Sequence, residues 1–480
     1  MKALLRTHFL AVLFGIFLLI TTSYKLITHP TPFYDWDEPL YVQGGIEMIR
    51  NNYYLFPMWQ GQVWMDKPPV SSLLYGLVAQ LPIERELSTR FLALFTSIGV
   101  LALAYVLYWR VTKNPFVSLI PIVATAYAPI FVQRSQVVSL DVFLLLGWFG
   151  YLVFRRQRVW ATLFLFLSTQ SKSLLGFYPL AIMVLFFLFE YATKKIKWAE
   201  LIHELRIIII QGLVLSLWYF IAFAWYGETF WQAHIVESHF RRVTASIESH
   251  FGERIFYITL LRDQMPVMVI PAIAGLLLLL WQFYKGTISH ETFLLAVAFV
   301  PWFIFLNLTK TKIAWYLYPV IPQFFFLASY PLTVLAKFKK TTLIFSLAVV
   351  AYLLFNGVIQ HAFFTTYYSS EEEHHEVARE AKNTCESLAV LVSETTRTTY
   401  QTLDAMGLVI ATTDWWGDHP SMVYYFEKPI GFFYTTDSFQ KKLTNYACAS
   451  VSPDDVSYLR TAKTKILRTF PSTRLYTVLP

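Results

Sequence analysis

The feature that most constrains this chain is the recurrence of apolar stretches of membrane length through its first three quarters. A helix needs about 20 predominantly apolar residues to cross a bilayer. Such stretches fall near 9–27, 90–109, 115–132, 137–154, 159–170, 174–191, 207–226, 266–284, 292–308, 313–335 and 342–360, with 159–170 the shortest. Only 15% of the 480 residues are charged. A soluble domain carries roughly 25%, so there are too few charges to cover a water-facing surface of this size. The chain reads as a polytopic α-helical membrane protein with about eleven transmembrane helices. The first of these follows Lys2 and Arg6, with no clear small-residue cleavage site after it, and is read as a retained helix.

The placement of basic residues tests that list. Cytoplasmic loops are enriched in Lys and Arg. With the N-terminus inside, alternate loops carry Arg110 and Lys113, then Arg155, Arg156 and Arg158, then Lys194, Lys195 and Lys197, then Lys285, then Lys337, Lys339 and Lys340. The clusters at 155–158 and 194–197 require the same side, hence an even number of passes between them, which argues that the short segment 159–170 is a span. The net charge of +8 is accounted for by these short loops, so nucleic acid is not an expected partner. An integral protein of the cell membrane follows, with residues 1–360 in the membrane domain and residues 361–480 outside.

The last 120 residues differ in pattern. SSEEEHHEVAREAKN reads as a helix, SLAVLVS, GLVIAT, SMVYYF and RLYTVLP read as strands, and Pro453-Asp454-Asp455 reads as a helix start. A small extracytoplasmic α/β domain is expected. Its cysteines, Cys385 and Cys448, either pair in an oxidising compartment or stay as two buried thiols.

Charges outside the basic loops converge on the outer face. Asp35, Asp37, Glu38, Asp66 and Lys67 lie in the first outer loop, at about 29–87. Lys172 lies at a later outer turn, Glu237, His239, Arg241 and Arg242 in the loop at about 227–265, and Lys310 and Lys312 before another apolar stretch. Each cation alone reads equally well as an interface residue with its head in water; together they suit the phosphate of a lipid. Asp37 and Glu38 open the helix-like stretch DEPLYVQGGIEMIR, where acids also favour the positive end of the helix dipole. Pro68 and Pro69 stiffen the backbone that follows Lys67. The aromatics Tyr53, Tyr54, Trp59 and Trp64 suit membrane anchoring or a sugar-facing wall.

Those residues carry a resemblance. An Asp-Glu pair after the first helix (Asp37-Glu38), an acidic-Lys-Pro-Pro element (Asp66-Lys67-Pro68-Pro69), STRFLALF at 88–95 and KTKIAWYLYPVIP at 310–322 occur in order, with ESHFRRV at 237–243 a weaker match. Over about residues 1–330 the chain resembles the GT-C fold glycosyltransferases that use polyprenyl-phosphate sugars, in particular the lipid A aminoarabinose transferases and the protein O-mannosyltransferases.

The resemblance implies a hexosyl or pentosyl transferase with a lipid-phosphate-linked donor, working on the outer membrane face by inverting single displacement. It gives Asp37 the role of general base and Glu38 that of orienting or holding the acceptor. Lys67, Lys172 and Arg242 would bind the donor phosphate with Tyr316 as a hydrogen-bond donor, and His239 and Lys312 are second choices. Asp35 competes with Asp37 for the base role, and Asp37 is favoured as the acid paired with Glu38. Some relatives carry Glu at the position of Asp66, so a metal associated with it is not expected; no cofactor is required, and a divalent cation is allowed without being predicted. DWWGD at 414–418 is similar to an oligosaccharyltransferase signature but differs in residue order, and is read as a turn. The acceptor, whether lipid, protein or cell-wall glycan, stays open. The competing readings are a transporter or flippase for a lipid-linked anion, for which polar residues in mid-helix and paired broken helices are the expected signs, and a scaffold whose outer domain binds a partner.

Overall fold

The computed structural model describes residues 2–246, 250–335, 339–359, 371–408 and 419–479. Among these, six helical stretches are long and apolar enough to cross a membrane: His8–Thr28, Arg85–Thr112, Arg158–Ala192, Trp198–Thr244, Pro266–Tyr284 and His290–Leu308. The pair Pro115–Tyr127 and Pro129–Gln136, bent by 70°, makes a seventh if counted as one span. Proline explains the bend: Pro129 cannot donate a backbone N–H to continue the helix.

The expected segments at 137–154, 313–335 and 342–360 take shorter forms. Asp141–Phe154 has 14 residues, about 21 Å of helix, and is buried among its neighbours on nearly every face. Residues 314–335 are divided between a 3₁₀ turn, Ala314–Val320, and the helices Ile321–Ser329 and Leu332–Leu335. Pro319, Pro322 and Pro331 punctuate that run. The apolar part of the last segment is Leu343–Phe355.

The stretch Arg158–Ala192 runs out and back. It breaks at Ser173, whose φ of 55° and ψ of −131° are not helical. Arg158 at its start pairs with Glu204, and a cavity of about 420 Å³ is lined by Arg155, Arg158, Glu190, Glu200 and Glu204. The basic clusters near 155 and 195 therefore share one end of the bundle. Asp141 and Lys172, joined by an ion pair, mark the other end.

At that second end the first loop is ordered by its own sequence. Helix Asp37–Arg50 packs on helix Val70–Val78, and the approach needs two glycines. A Cβ on Gly45 would lie 1.9 Å from the Ser72 carbonyl oxygen, and one on Gly76 would lie 2.4 Å from the carbonyl carbon of Gly45. Between the helices, strands β1 (Met58–Trp59) and β2 (Gln62–Val63) form a hairpin. Gln60 and Gly61 both have positive φ, at 50° and 77°, as a two-residue hairpin turn requires. The buried Glu47 carboxylate accepts from both of their amides, at 3.1 and 2.9 Å.

Among the described residues, the C-terminal part holds a five-stranded mixed sheet of order β4-β3-β5-β7-β6, formed by β3 (Leu388–Leu391), β4 (Ile430–Phe433), β5 (Cys448–Val451), β6 (Lys463–Thr469) and β7 (Arg474–Leu479). Cys385 and Cys448 form a disulfide with Cα atoms 5.9 Å apart. One sequence expectation is corrected: SMVYYF is not a strand but lies in the helix Pro420–Phe426. Proline pre-sets the first turn, and every residue of the helix is buried, so the run shows no alternation of faces for a strand to use. Three strands, β4, β5 and β6, were not anticipated. The motif at 414–418 and most of the proposed strand at 407–412 lie outside the described residues.

Candidate functional site

A cavity of about 770 Å³ opens at the end of the bundle where the first loop sits. Its polar lining includes Asp37, Lys67, Lys172, His239, Arg242 and Tyr316, brought from separate chain segments. Its apolar lining includes Leu140, Leu144, Trp302, Phe305 and Leu306.

Asp37 is the first residue of its helix. Its side chain is 31% exposed, with Arg134 Nη1 3.4 Å away. Tyr41 donates a long hydrogen bond of 3.4 Å to its other oxygen. This carboxylate is loosely held and faces the cavity.

Asp35, two residues earlier, is held firmly. Its Oδ1 accepts from the Ser421 amide at 3.1 Å, the Ser421 hydroxyl at 2.9 Å and the Trp36 amide at 3.1 Å. Its Oδ2 lies 2.5 Å from His419 Nδ1. Burial alone would raise its pKa, but the hydrogen bond and charge of His419, the charge of His374 and the Ser421 amide outweigh it and hold the carboxyl below the usual range. Trp36 separates the two acids with φ 76° and ψ −94°, a conformation few non-glycine residues adopt. Strain of this kind persists only where the surroundings hold it.

Glu38 is 1% exposed. Arg90 donates to it through Nε at 2.9 Å and Nη2 at 2.6 Å, and the amides of Tyr34 and Val138 donate at 2.7 and 2.8 Å. Four donors fill the roughly four lone-pair positions of a carboxylate. The same guanidinium donates to the carbonyls of Thr31 and Pro32. Glu38 thus ties the loop to the bundle, and no lone pair is left to hold an acceptor as the sequence reading had it.

The cations differ in their surroundings. Lys67 pairs with Asp66, whose second oxygen accepts from Ser238. Burial pushes the Asp66 carboxyl up, but the charges of Lys67 and Arg242 and the hydrogen bonds from Lys67 and Ser238 hold it well below the usual carboxylate range. Lys172 ends its helix, pairs with Asp141 and lies 5.0 Å from the centre of the Tyr316 ring. His239 and Ser238 sit on the π-helical segment Trp231–Arg241 that leads into Arg242. The His239 Nδ1 lies 2.6 Å from the His234 carbonyl oxygen. Donation there leaves Nε2 as the other polar atom of the ring.

Lys312 is the exception among the residues assigned to catalysis or donor binding. It is absent from the cavity lining. It is 5% exposed, and its Nζ donates to the carbonyls of Leu306 and Asn307 at 3.2 and 3.0 Å. These carbonyls belong to the C-terminal turn of helix His290–Leu308, where a cation is favourable. Its assignment to a donor phosphate is corrected on that geometry.

Two charged lining residues, Arg134 and Asp141, had been missed. Arg134 is 4% exposed, stacks 4.3 Å from the Trp315 ring centre, and its Nε makes no hydrogen bond among the described residues. Asp141 holds Lys172. The first-loop aromatics divide as well: Trp64 lines the cavity and stacks on Tyr41 at 6.1 Å, Tyr53 bonds Tyr226 at 2.7 Å, and Tyr54 is exposed.

Long apolar helices around a charged cavity at one end define a polytopic integral membrane protein. Its fold is GT-C. The chain superposes on the crystal structure of ArnT from Cupriavidus metallidurans bound to undecaprenyl phosphate with a TM-score of 0.69, over 97% of each chain at 15% identity. It is also similar to the Archaeoglobus fulgidus oligosaccharyltransferase in its apo form, with a TM-score of 0.55 over 87% of this chain and 64% of that one, at 12% identity. At such identities the likeness is one of fold. No family model matches the chain. An uncharacterized protein of Aquifex aeolicus (strain VF5) is 23% identical over 214 residues, which is 42% of each chain, so the match spans less than half of that relative's length.

Proposed function

We propose that this protein is a membrane glycosyltransferase that moves a sugar from a polyprenyl-phosphate donor to a hydroxyl acceptor on the outer membrane face. The observation that carries the reading is the cavity itself. It combines a partly exposed carboxylate, Asp37, with Lys67, Lys172 and Arg242, and continues into an apolar wall that includes Leu144, Trp302 and Phe305. A phosphate with an isoprenoid tail has that mixed chemistry, and the similar ArnT was solved with undecaprenyl phosphate bound.

The chemistry is an in-line displacement. The acceptor oxygen bonds to the anomeric carbon, the bond from that carbon to the phosphate oxygen breaks, and its electron pair leaves with the lipid phosphate. The acceptor proton passes to Asp37. The lipid phosphate gains charge as it leaves, and fixed cations stabilise that charge where it develops. Lys67, Lys172 and Arg242 supply them, with Arg134 beside Asp37 as a further one and the Tyr316 hydroxyl as a donor. Asp35 is not the base, because its oxygens are engaged by His419, Ser421 and Trp36. The Cys385–Cys448 disulfide supports placing the C-terminal sheet in an oxidising, extracytoplasmic compartment.

The test is mass spectrometry of glycolipids and surface glycoproteins from cells with and without the protein, followed by transfer assays in nanodiscs with synthetic polyprenyl-phosphate sugars. A glycan that disappears with the gene and returns with wild type but not with Asp37→Asn supports the reading. An unchanged glycome together with protein-dependent flipping of a lipid phosphate would replace it with transport.

A further inference from the structure

Outside the catalytic cations, one cluster joins three chain segments that are far apart in sequence. Asp35 belongs to the first loop, His374 to the first turn of helix Glu373–Thr384, and His419 immediately precedes helix Pro420–Phe426. Their ligand-type atoms all lie within 4.8 Å of one another. The Asp35 Oδ1 is occupied by Ser421 and Trp36. The other oxygen, Oδ2, faces two imidazole nitrogens, His419 Nδ1 at 2.5 Å and His374 Nε2 at 3.5 Å.

His374 is oriented from behind. Its Nδ1 lies 3.5 Å from the Glu372 carboxylate, which leaves Nε2 pointing at Asp35. That Nε2 is buried and makes no hydrogen bond among the described residues. A carboxylate behind a histidine whose other nitrogen faces a second acid is the arrangement that orients metal-binding imidazoles. The His374 and His419 rings are stacked, with centroids 4.1 Å apart and planes 11° apart.

We infer that Asp35, His374 and His419 form a site for one divalent transition-metal ion of the zinc class, which clamps the C-terminal part onto the loop that carries Asp37. Two imidazole nitrogens and one carboxylate oxygen suit zinc and its late first-row neighbours, whereas magnesium and calcium prefer all-oxygen sets. Ligands about 2.0 Å from a tetrahedral ion lie about 3.3 Å apart. The His374–Asp35 separation already matches that spacing. His419 needs to withdraw by less than an ångström, and its side chain, 45% exposed, has room to do so. The clamp joins contacts already made there: the Tyr425 hydroxyl accepts from the Phe33 amide at 2.8 Å and donates to Glu86 at 2.8 Å.

The experiment uses the full chain in detergent, stripped with a chelator and titrated with zinc chloride by calorimetry, with metal content read by mass spectrometry. One zinc per chain is expected, not displaced by excess magnesium, with a raised thermal midpoint because only the folded state binds. Glu372→Gln should weaken binding by about 10–100-fold, and His374→Ala and His419→Ala by more. Absence of stoichiometric zinc overturns the inference, and so does zinc held equally well by His419→Ala, a change at a half-exposed position that leaves the core intact if His374→Ala does not fold. The readout is independent of sugar transfer, so it stands or falls separately from the proposed activity.

Discussion

Asp35 and Asp37 are two residues apart on one cavity, and two regions of the molecule compete for them. Asp35 lines the edge of the same cavity, yet its oxygens are saturated with partners from the C-terminal part. Asp37 faces the cavity and, among the described residues, accepts only two long hydrogen bonds, from Arg134 and Tyr41. The positive φ of Trp36 separates the two environments. The contrast shows how one short loop holds both a fixed acid and a reactive one: reactivity requires lone pairs left open, and docking requires them filled.

The strongest way to break this comparison is to exchange the fates of the two acids. Asp37→Asn should lower turnover by about 10²–10⁴-fold, the usual contribution of a general base, with a fall in thermal midpoint smaller than that of Asp35→Asn, because only the long ion pair with Arg134 is weakened. Asp35→Asn should lower the midpoint instead, because charge-assisted bonds to His419 and Ser421 are weakened. Turnover and melting curves on the two variants decide it; the opposite pattern would transfer the base role to Asp35.

Next in size is the keystone beneath both acids. Glu38→Gln leaves Arg90 as a buried charge without its anion, and breaking such a pair costs about 3–5 kcal/mol. The expected result is a large fall in midpoint in detergent, whatever the assay for transfer shows. A stable Glu38→Gln protein that lost only acceptor affinity would restore Glu38 to the acceptor.

How much of this was legible follows from what each signal rests on. Span-length apolar runs such as His8–Thr28 and Pro266–Tyr284 stand out because lipid contact demands apolar side chains all round. Asp141–Phe154 and Ile321–Ser329 are just as apolar but short and buried, and hydropathy does not distinguish lipid from protein as the surrounding medium. At the site, the order of motifs drew Asp37, Lys67 and Arg242 together and the topology added Lys172, and all four line one cavity. Asp141 was passed over because an acid at the start of an apolar helix is explained by the helix dipole alone. Arg134 was passed over because its role depends on Trp315 and Asp37, both remote in sequence. The Asp35–His374–His419 cluster was invisible for the same reason: nothing in the local sequence brings residues 35 and 419 together.

A smaller effect sharpens the comparison on the cavity side. Lys67→Ala should weaken donor use by about 1.5–3 kcal/mol, the range for a hydrogen bond to a charged group, or roughly 10–150-fold in kcat/KM for the lipid donor. Lys172→Ala should fall in the same range, since its ammonium sits between Asp141 and the Tyr316 ring in an equivalent position. Acceptor KM should be unaffected in both. A change confined to acceptor KM would move these lysines off the phosphate.

The smallest expected effect is at Lys312, and it is informative because the sequence grouped it with the donor-binding cations. Its ammonium caps the carbonyls of Leu306 and Asn307 and lies 5.1 Å from the Tyr257 ring centre. A cation at a helix C-terminus contributes about 0.3–1 kcal/mol at the surface and up to about 2 when partly buried. Lys312→Met keeps the apolar stem and removes the charge, so it should lower the thermal midpoint slightly and leave donor kcat/KM within about twofold, a difference of only about 0.4 kcal/mol. Measured beside Lys67→Ala, it separates two ways for a membrane protein to use a buried lysine at the end of a helix, one aimed at a ligand and one aimed at its own backbone. A donor defect as large as that of Lys67→Ala would mean that the Lys312 side chain reaches the cavity when the lipid enters, and the boundary between the two regions would then have to be drawn on the far side of residue 312.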